Sequence, residues 1–592
     1  MAIEGIQLLF DLGLILLAAT VFNFVARLLK QPSLLAYIAA GIVIGPIGLG
    51  ALNLSFAGVP IGVTTTEEIL LLSELGVAFL LFSVGVESDF SKLKEFGKIA
   101  VIGSVVQVVL TALLVFFFNI FLNILSFEQA IYLGLIVAFS STTIVVKLLS
   151  DEHEINTLHG RLMIGFLLIQ DVLVILALPL LDNISNFLTL ELIIPLVLKV
   201  VALLVFGFVL NKYIYPRLFA FATQSDELFF LSAMSSVFIF IFISTILNFS
   251  IAVGAFVAGV TLSTLPYNLE VLHRIRGVRD FLATIFFVTL GIQLTFTFVS
   301  FPIALALVII GIVFVFKPLI YYLITLFNGY GGRVSLMVAL GLAQVSEFSF
   351  IIASQGRSIL EQTPGLYSFI ILIIAVSMAI TPYFMGYTNF FHDLVNKIFG
   401  RFLDSMKNSK RFNKRIHELE SVEADLKNHI VIFGGGTVGS NIASALALNN
   451  NKVVVVDANS ETVLKNINKG INAVYGSADN KEIWLKVNIL ESKIVILAIP
   501  SPKSAIPLLK YLQKEKPGLV VFARAHYFKD AMKLYENSVD YIVMPQVLGS
   551  NVFVQKVAEY LETGDIERIS NFKEEFVEYI KEKSKEEELP LF

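Results

Sequence analysis

An acidic residue stands in the middle of one long apolar run of this sequence. Asp171 follows Gln170 in the stretch GFLLIQDVLVILALPLL, and an ionisable side chain at the centre of a bilayer costs about 2.5 to 3.5 kcal/mol to insert. A carboxylate kept there can hold either a proton or a partly dehydrated cation, which is the chemistry of an ion exchanger. The alternative is a structural carboxylate that accepts hydrogen bonds from a neighbouring helix. The first interpretation is favoured, with Asp171 as the ligand of K⁺ or Na⁺.

Hydroxyl side chains cluster in the preceding apolar run. Ser140, Ser141, Thr142 and Thr143 follow one another in VAFSSTTIVV. Such a series can satisfy the backbone groups of an opened helix or provide oxygen ligands to a cation. Ser and Thr also make ordinary helix contacts in lipid, which is the better interpretation unless the helix is interrupted. The first three hydroxyls, together with Gln170, complete the predicted ion- and proton-binding site.

The distal half of the apolar region has buried charges of its own. Lys317 precedes Pro318 in IVFVFKPLIYYLI, where the proline indicates a helix interruption, and Glu347 lies in LGLAQVSEFSFIIAS. The two halves therefore mirror each other loosely, which indicates an inverted repeat with half-helix ends that meet near the bilayer midplane. Lys317 and Glu347 are predicted to balance charge there. Alternatively, Lys317 extends to a membrane interface, or Glu347 simply pairs with it.

A glycine motif near residue 434 has a different chemistry. The stretch HIVIFGGGTVGSNIASALALNN places Gly434, Gly436 and Gly439 in a G-x-G-x-x-G pattern between a predicted strand and a predicted helix, and Asp457 ends the next strand, KVVVVDAN. The glycines allow a pyrophosphate to approach the helix N-terminus, while the acidic residue can bind ribose hydroxyls. The sequence predicts a nucleotide site. The alternative is a domain that kept the turn and lost the ligand.

Further strand and helix units continue this C-terminal part. INAVYGSADN, KIVILAIPS, LVVFARAH and YIVMPQ bring the total to about six parallel strands that alternate with helices. Ligands of such sheets lie at the carboxyl ends of the strands, so Ser477, which follows the third strand, is a weaker candidate for the same crevice.

The elements that must position these residues are mostly membrane helices. The 592 residues are 56% hydrophobic and 15% charged, with a mean hydropathy of +0.81, and the apolar excess is confined to about the first 390 residues. About 13 transmembrane helices are predicted. By approximate residues they are 6–25, 34–50, 67–87, 97–124, 129–148, 158–182, 188–211, 227–247, 250–265, 279–296, 300–326, 334–354 and 366–388.

Alternate connections between these spans carry nearly all the lysines and arginines, among them Arg161, Arg217, Arg276 and Arg333. The positive-inside rule places those connections in the cytosol, the N-terminus outside and the C-terminal domain inside a plasma membrane. The chain is divided into a transmembrane domain (1–391), an amphipathic linker (392–427), a nucleotide-binding domain (428–565) and a charged tail (566–592). A net charge of −4 gives no reason to expect a nucleic-acid partner, and the lack of cysteine excludes disulfides and thiolate sites.

Several of these stretches resemble one family. QPSLLAYIAAGIVIGP, SELGVAFLLFSVGVE, FSSTTIVVKLL, IQDVLVILALPLL, IAVGAFVAGVTLS, FFVTLGIQL and LAQVSEFSFIIAS are similar to the cation:proton antiporters that include glutathione-gated potassium efflux systems and sodium:proton exchangers. The tail resembles an RCK N-lobe of the TrkA-N type. The resemblance implies an inverted-repeat fold with two crossing, unwound helices, a homodimer, and elevator-like alternating access with Asp171 as the carrier. The pair Gln170–Asp171 is similar to the potassium-directed branch.

The resemblance also implies that NAD(H) or an AMP-type nucleotide binds the Rossmann-like domain, with Arg524 in FARAH at the regulatory crevice. A second RCK lobe is not expected, which makes gating by glutathione doubtful. The favoured function is thus potassium:proton exchange by a secondary transporter that is not an enzyme. Sodium:proton exchange with the same residues stays open. An RCK-gated potassium channel and a membrane-tethered dehydrogenase fit less well, since there is neither a TVGYG-like filter nor a substrate domain.

Overall fold

A computed structural model describes residues 2–29, 31–52, 55–56, 59–60, 62–88, 97–152, 154–181, 190–295, 301–388, 390–395, 397, 419, 421, 426–499 and 504–563. Most of the predicted linker 392–427 and all of the predicted tail 566–592 lie outside the described residues. The structure divides into two compact units, one that contains the apolar helices and one that contains a C-terminal sheet, and each is described by itself.

The helices of the first unit follow the apolar runs of the sequence. They are α1 Ala2–Leu28, α2 Ser33–Ile44, α3 Glu67–Glu87, α4 Gly97–Leu122, α5 Phe127–Ala138, α6 Thr142–Asp151, α7 Leu158–Leu181, α8 Leu190–Val209, α9 Tyr215–Ala222, α10 Asp226–Ile246, α11 Ile251–Ser263, α12 Asn268–Ile292, α13 Ile303–Gly311, α14 Lys317–Phe327, α15 Gly331–Gly341, α16 Phe348–Gln355, α17 Arg357–Leu360 and α18 Leu366–Gly386. A two-stranded hairpin, β1 Ser55–Phe56 and β2 Val59–Pro60, precedes α3.

Polar residues begin several of these helices where the chain leaves a connection. Ser126 and Gln129 form a complete capping box at the start of α5, in which each side chain accepts a hydrogen bond from the backbone N–H of the other. Thr66 accepts a bond from Ile69 N–H at the start of α3. These bonds satisfy backbone donors that the helix itself leaves open.

Ten helices of the described chain are long and apolar enough to cross a membrane. They account for ten of the predicted spans, counting each of the pairs α5–α6, α8–α9 and α13–α14 as one. The other three predicted spans coincide with the short apolar helix α11, the second half of α12, and the pair α15–α16. The expectation of a polytopic α-helical membrane protein is confirmed.

Two spans are broken in their middle. Helix α5 ends at Ala138 and α6 begins at Thr142, so the run of hydroxyls predicted from the sequence lies at a true interruption. In the distal half, α15 ends at Gly341 and α16 begins at Phe348. The interruption expected beside Pro318 has another form, because a π-helical turn over Ile312–Phe316 joins α13 to α14 and accommodates the proline.

The membrane helices pack as two bundles. The site bundle comprises α4–α7 and α13–α18. Helices α4, α5, α13, α14 and α16–α18 contact one another, and α6, α7 and α15 join them through Thr143–Glu347, Ser104–Phe166 and Gly341–Met163. The frame bundle comprises α1–α3 and α8–α12, which likewise contact one another. Within the site bundle, Ser104 of α4 donates to the carbonyl of Phe166 on α7 at 3.1 Å. The residues singled out in the sequence, from Ser140 to Glu347, all belong to the site bundle.

Two glycine crossings hold the frame bundle. A Cβ on Gly41 of α2 would lie 2.9 Å from the Cα of Gly291 on α12, and a Cβ on Gly85 of α3 would lie 2.9 Å from the Cα of Gly259 on α11. A Cβ does not come this close to a backbone carbon in real structures, so only glycine permits these backbones to touch. The two crossings have the same separation, which is consistent with an inverted repeat in which one crossing corresponds to the other.

The second unit contains a six-stranded parallel sheet in the order β5-β4-β3-β6-β7-β8, which confirms the predicted Rossmann-like domain. The strands are β3 His429–Phe433, β4 Val453–Asp457, β5 Asn472–Tyr475, β6 Ser492–Leu497, β7 Val520–Arg524 and β8 Tyr541–Val543. The helices are α19 Thr437–Leu448, α20 Ser460–Asn468, α21 Lys481–Lys486, α22 Ile506–Glu515, α23 Phe528–Glu536 and α24 Pro545–Thr563. Strand β3 is buried throughout, because helices cover both faces of such a sheet.

Candidate functional site

The two helix breaks of the site bundle touch each other. Ser346 N–H donates to the carbonyl of Phe139 at 3.1 Å, and the Ser140 hydroxyl donates to the carbonyl of Leu342 at 2.9 Å. Each break therefore satisfies backbone groups that the other leaves without an intrahelical partner. Four half-helix ends meet at this crossing, two of them N-terminal and two C-terminal.

Lys317 lies at the C-terminal ends of the broken helices. Its side chain is 0% exposed, and Nζ donates to the carbonyls of Phe139 and Gln344, both at 2.7 Å. These carbonyls follow α5 and α15, where the backbone dipoles concentrate partial negative charge. An ammonium group is the natural partner of two such ends. The side chain does not extend to a membrane interface.

Glu347 lies at the N-terminal ends of the broken helices. Its Oε2 accepts a hydrogen bond from the Ser141 hydroxyl at 2.9 Å, and its Oε1 accepts one from the Thr143 hydroxyl at 2.5 Å. Both donors belong to the N-terminal end of α6, and Glu347 itself precedes α16. A carboxylate there faces the positive ends of two half-helices. Glu347 thus has partners other than Lys317.

Asp171 stands beside this crossing with one oxygen open. Its Oδ2 accepts a hydrogen bond from the Thr142 hydroxyl at 2.9 Å, whereas its Oδ1 is buried and has no hydrogen-bond partner. The carboxyls of Glu347 and of Glu87, the last residue of α3, are close enough to act electrostatically on Asp171. An orphaned buried carboxylate oxygen is costly. It can be satisfied by a proton or by a cation, and the adjacent threonine hydroxyl oxygen is a further potential ligand.

Gln170 is held in a buried network behind Asp171. Its Nε2 donates to Gln107 Oε1 and to the Tyr321 hydroxyl, both at 2.5 Å, while its Oε1 accepts from Ser140 N–H at 3.0 Å. Ser140 also contacts the Tyr321 hydroxyl at 3.3 Å. All polar atoms of the Gln170 amide are therefore engaged with protein groups, and the network fixes the end of the first break.

Gln107 and Tyr321 are part of the site but were not predicted from the sequence. Gln107 donates to the carbonyl of Ala138 at 2.9 Å and accepts from the Tyr321 hydroxyl at 3.1 Å. Two signals were available. Gln107 is a polar residue within an otherwise apolar span, and Tyr321 follows Lys317 by four residues, which places both on one face of α14.

The glycine loop of the second unit has the geometry its motif predicts. Gly434 has a φ of +96°, and a Cβ there would meet the carbonyl of Ala498 at 2.8 Å. Gly439 packs against the carbonyl oxygen of Gly434, so neither position has room for a side chain. Gly436, by contrast, faces open space at the start of α19. That space is where a phosphate would approach the helix N-terminus.

Asp457 closes this loop from the neighbouring strand. Its Oδ2 accepts from Gly435 N–H at 2.6 Å and its Oδ1 from Asn459 N–H at 2.7 Å. Burial raises the pKa of the Asp457 carboxyl above its usual range, while these backbone bonds act in the opposite direction. A ribose hydroxyl would add a donor to the same carboxylate.

Ser477 and Arg524 lie on opposite sides of the glycine loop. Ser477 follows β5 and Arg524 ends β7, each two strands from β3, so about 20 Å of sheet edge separates them. The Arg524 Nη2 contacts His526 Nε2 at 2.8 Å, and its Nε is buried with no hydrogen-bond partner. Arg524 can therefore still donate to an anionic group. Only an extended ligand could reach both residues.

Comparison with known families agrees with both units. Residues 13–386 match the model of "Sodium/hydrogen exchanger, transmembrane", and residues 430–545 match the TrkA-N domain. The family resemblance inferred from the sequence motifs is confirmed.

Two of the relatives match nearly the whole chain, and a third matches about two thirds of it. The Escherichia coli protein YbaL is 27% identical over 93% of this chain and 96% of its own length. The glutathione-regulated potassium-efflux system protein KefC of Escherichia fergusonii is 27% identical over 90% of this chain and 82% of its own. The K(+) efflux antiporter 5 of Arabidopsis thaliana is 30% identical over 64% of this chain and 66% of its own.

A solved structure shares the architecture of the membrane part. The sodium proton antiporter MjNhaP1 from Methanocaldococcus jannaschii has a TM-score of 0.50 and 17% identity, and the match covers 65% of this chain and 99% of that one. At this identity the likeness concerns the fold alone.

Proposed function

This chain belongs to the sodium/hydrogen exchanger family, and on that basis we propose that it exchanges potassium ions for protons, with Asp171 as the carrier of both. The single observation that carries the proposal is the buried Oδ1 of Asp171, which has no hydrogen-bond partner beside two crossing helix breaks. The membrane supplies no water to satisfy this oxygen. An ion or a proton does so in turn.

Competition for one carboxylate couples the two fluxes. The loaded and the protonated forms of Asp171 are neutral at this oxygen pair, whereas the bare anion is costly to carry through a low-dielectric barrier. The carrier therefore changes sides only when it holds one of its two substrates. One cation then moves for each proton, without net charge. Thr142 donates to Asp171 and would provide its hydroxyl oxygen to the bound cation.

The two bundles suggest how the site changes sides. Asp171 and its hydrogen-bond partner Thr142 lie in the site bundle, while the glycine crossings join helices of the frame bundle. A rigid shift of the site bundle against the frame bundle would carry Asp171 between the two membrane faces without breaking the crossing. The frame bundle would provide the contact in a homodimer. The N-terminus would lie outside the plasma membrane and the sheet in the cytosol.

Potassium is preferred over sodium for two reasons. KefC and K(+) efflux antiporter 5 are named for potassium, and Gln170 contributes no second carboxylate beside Asp171. Because the Gln170 amide is occupied by Ser140, Gln107 and Tyr321, it would act by holding the break rather than as an ion ligand. Sodium:proton exchange through the same residues is the second candidate, since the family model is named for sodium.

The sheet unit would regulate exchange by binding NAD(H) or an AMP-type nucleotide. Three observations support a nucleotide site there: the open space at Gly436, the tight packing of Gly434 and Gly439, and the Arg524 Nε that has no hydrogen-bond partner. A ligand that binds one conformation of the transporter more tightly shifts the balance between inward- and outward-facing states by its differential affinity.

Proton flux in sealed vesicles tests the assignment of the carrier. The purified chain is reconstituted with a luminal pH dye, and K⁺ or Na⁺ is added in turn to the wild type and to Asp171→Asn. We expect K⁺-driven alkalinisation in the wild type and none in the variant. Asp151→Asn, which changes an exposed carboxylate at the end of α6, is the matched control. Normal exchange by Asp171→Asn would overturn the proposal.

A further inference from the structure

Three ionisable side chains meet at the crossing of the site bundle, and their formal charges do not balance. Lys317 binds the two C-terminal ends, Glu347 binds the N-terminal end of α6, and Asp171 stands beside them. Helix α6 also carries Lys147, but this lysine is exposed. Glu87 of α3 also acts electrostatically on Asp171 and Glu347, but it belongs to the frame bundle, where its Oε1 lies 3.7 Å from Arg279 Nη1. Within the site bundle, one cation therefore faces two carboxyl groups.

The hydrogen-bond partners of Lys317 and Glu347 are those of an ammonium and a carboxylate. Lys317 donates to two carbonyls at the negative ends of α5 and α15. Both oxygens of Glu347 accept from hydroxyls at the positive end of α6. Helix ends of these polarities stabilise an ammonium and a carboxylate respectively.

We propose that Glu347 enforces the coupling of exchange by cancelling the charge of Lys317. The inference rests on the proposed function. With Lys317 and Glu347 cancelled, the bare Asp171 leaves the site bundle with a single excess negative charge, and a bound K⁺ or proton removes it. Only the occupied carrier is neutral, so only the occupied carrier crosses the barrier. Without Glu347, the charge of Lys317 would cancel that of Asp171 instead.

The substitution Glu347→Gln reverses which form of the carrier is neutral. The amide keeps the size of the side chain and one acceptor oxygen for Ser141 or Thr143. The bare carrier becomes neutral and returns without a substrate, while the carrier that holds K⁺ acquires a net positive charge. Potassium flux should then become slower and electrogenic, because each turnover moves an uncompensated ion. Glu347→Asp preserves the charge and should preserve coupled exchange.

A voltage-sensitive dye distinguishes the two modes. Proteoliposomes loaded with K⁺ are diluted into K⁺-free medium at equal pH on both sides, and luminal pH and membrane potential are recorded together. In the wild type and in Glu347→Asp, we expect luminal acidification without a potential. In Glu347→Gln, we expect an inside-negative potential, with acidification lost until a protonophore is added. Glu361→Gln, which removes a surface partner of Arg357, is the matched control and should behave as the wild type.

The outcomes separate this inference from the function on which it rests. If the wild type exchanges neither K⁺ nor Na⁺ for protons, the proposed function fails. If the wild type exchanges and Glu347→Gln also acidifies the lumen without a potential, the function stands and the role of Glu347 is wrong. A monodisperse Glu347→Gln protein that moves no K⁺ at all also overturns it, because loss of coupling requires a residual potassium flux.

Discussion

Lys317 and Glu347 bind helix ends of opposite polarity at one crossing. The Lys317 ammonium donates to the carbonyls of Phe139 and Gln344, whereas the Glu347 carboxylate accepts from the hydroxyls of Ser141 and Thr143. Each residue thus ties the proximal half of the membrane unit to the distal half. The partial charges at the ends of the broken helices therefore find partners of opposite sign at the crossing itself.

Replacing Lys317 should weaken the membrane unit. In Lys317→Met, the carbonyl of Phe139 keeps its bond from Ser346 N–H, but the carbonyl of Gln344 loses the Lys317 donor. A buried acceptor left without a partner costs about 1 to 3 kcal/mol. We expect a lower midpoint of thermal unfolding in detergent and a loss of exchange. Lys147→Met, which removes an exposed lysine of α6, serves as the control. An unchanged midpoint for Lys317→Met would show that the carbonyl of Gln344 finds another donor.

The glycine crossings predict a contrast between two conservative substitutions. A Cβ on Gly259 would meet the backbone of Gly85, while a Cβ on Gly277 has no atom within 4 Å. Gly259→Ala should therefore separate α3 from α11 and destabilise the frame bundle, whereas Gly277→Ala should be neutral or stabilise α12 by up to about 1 kcal/mol through helix propensity. Thermal unfolding of the two variants in the same detergent measures the difference. Equal stability of both would contradict the close approach of α3 and α11.

His429 predicts a pH dependence of the sheet unit. Its imidazole is 0% exposed, Nε2 donates to the carbonyl of Val487 at 2.8 Å, and Nδ1 has no partner. Burial lowers the pKa of His429 from its usual value of 6.5, although the bond to Val487 opposes the shift. The unfolded chain therefore binds the proton more readily, and the contribution to stability is complete above pH 6.5 and declines as the pH falls below it.

Trp484 makes this dependence measurable, since it is the single tryptophan of the chain and is buried in the sheet unit. Its fluorescence during denaturant unfolding reports the sheet unit of the intact protein. His429→Gln keeps a donor for the carbonyl of Val487 but does not titrate, so the loss of stability below pH 6.5 should be reduced. The same slope in the variant and the wild type would assign the pH dependence to other groups.

Gly436 offers a test of the nucleotide site that leaves the fold intact. The space beside its Cα is open, so Gly436→Val fits the fold but fills the approach to the N-terminus of α19. We expect the variant to lose binding of NADH and AMP in titration calorimetry while Trp484 still reports a folded sheet unit. Gly549→Val, at another position with open space, is the control. Retention of nucleotide by Gly436→Val would place the ligand away from the N-terminus of α19.

Part of the site was predictable because its signals are local. A carboxylate in an apolar run identifies Asp171 wherever the neighbouring helices lie, and the run of hydroxyls marks the first break. Gln107 and Tyr321 were missed because a lone polar residue in a span has many ordinary explanations. Their role follows only from the bonds that both make to Gln170. The hydrogen bond between Glu347 and Ser141 could not be predicted either, since Ser141 precedes Glu347 by 206 residues.

The sequence by itself determined the division into apolar helices and a nucleotide-type sheet, the position of Asp171 and the glycine loop. These features depend on composition and on spacing along one element, which the chain carries with it into any fold. Only the tertiary structure decided that Lys317 serves the C-terminal helix ends and Glu347 the N-terminal end of α6, and which oxygen of Asp171 stays open. Those assignments depend on which half-helices pack together, and packing between distant segments has no signature in the local order of residues.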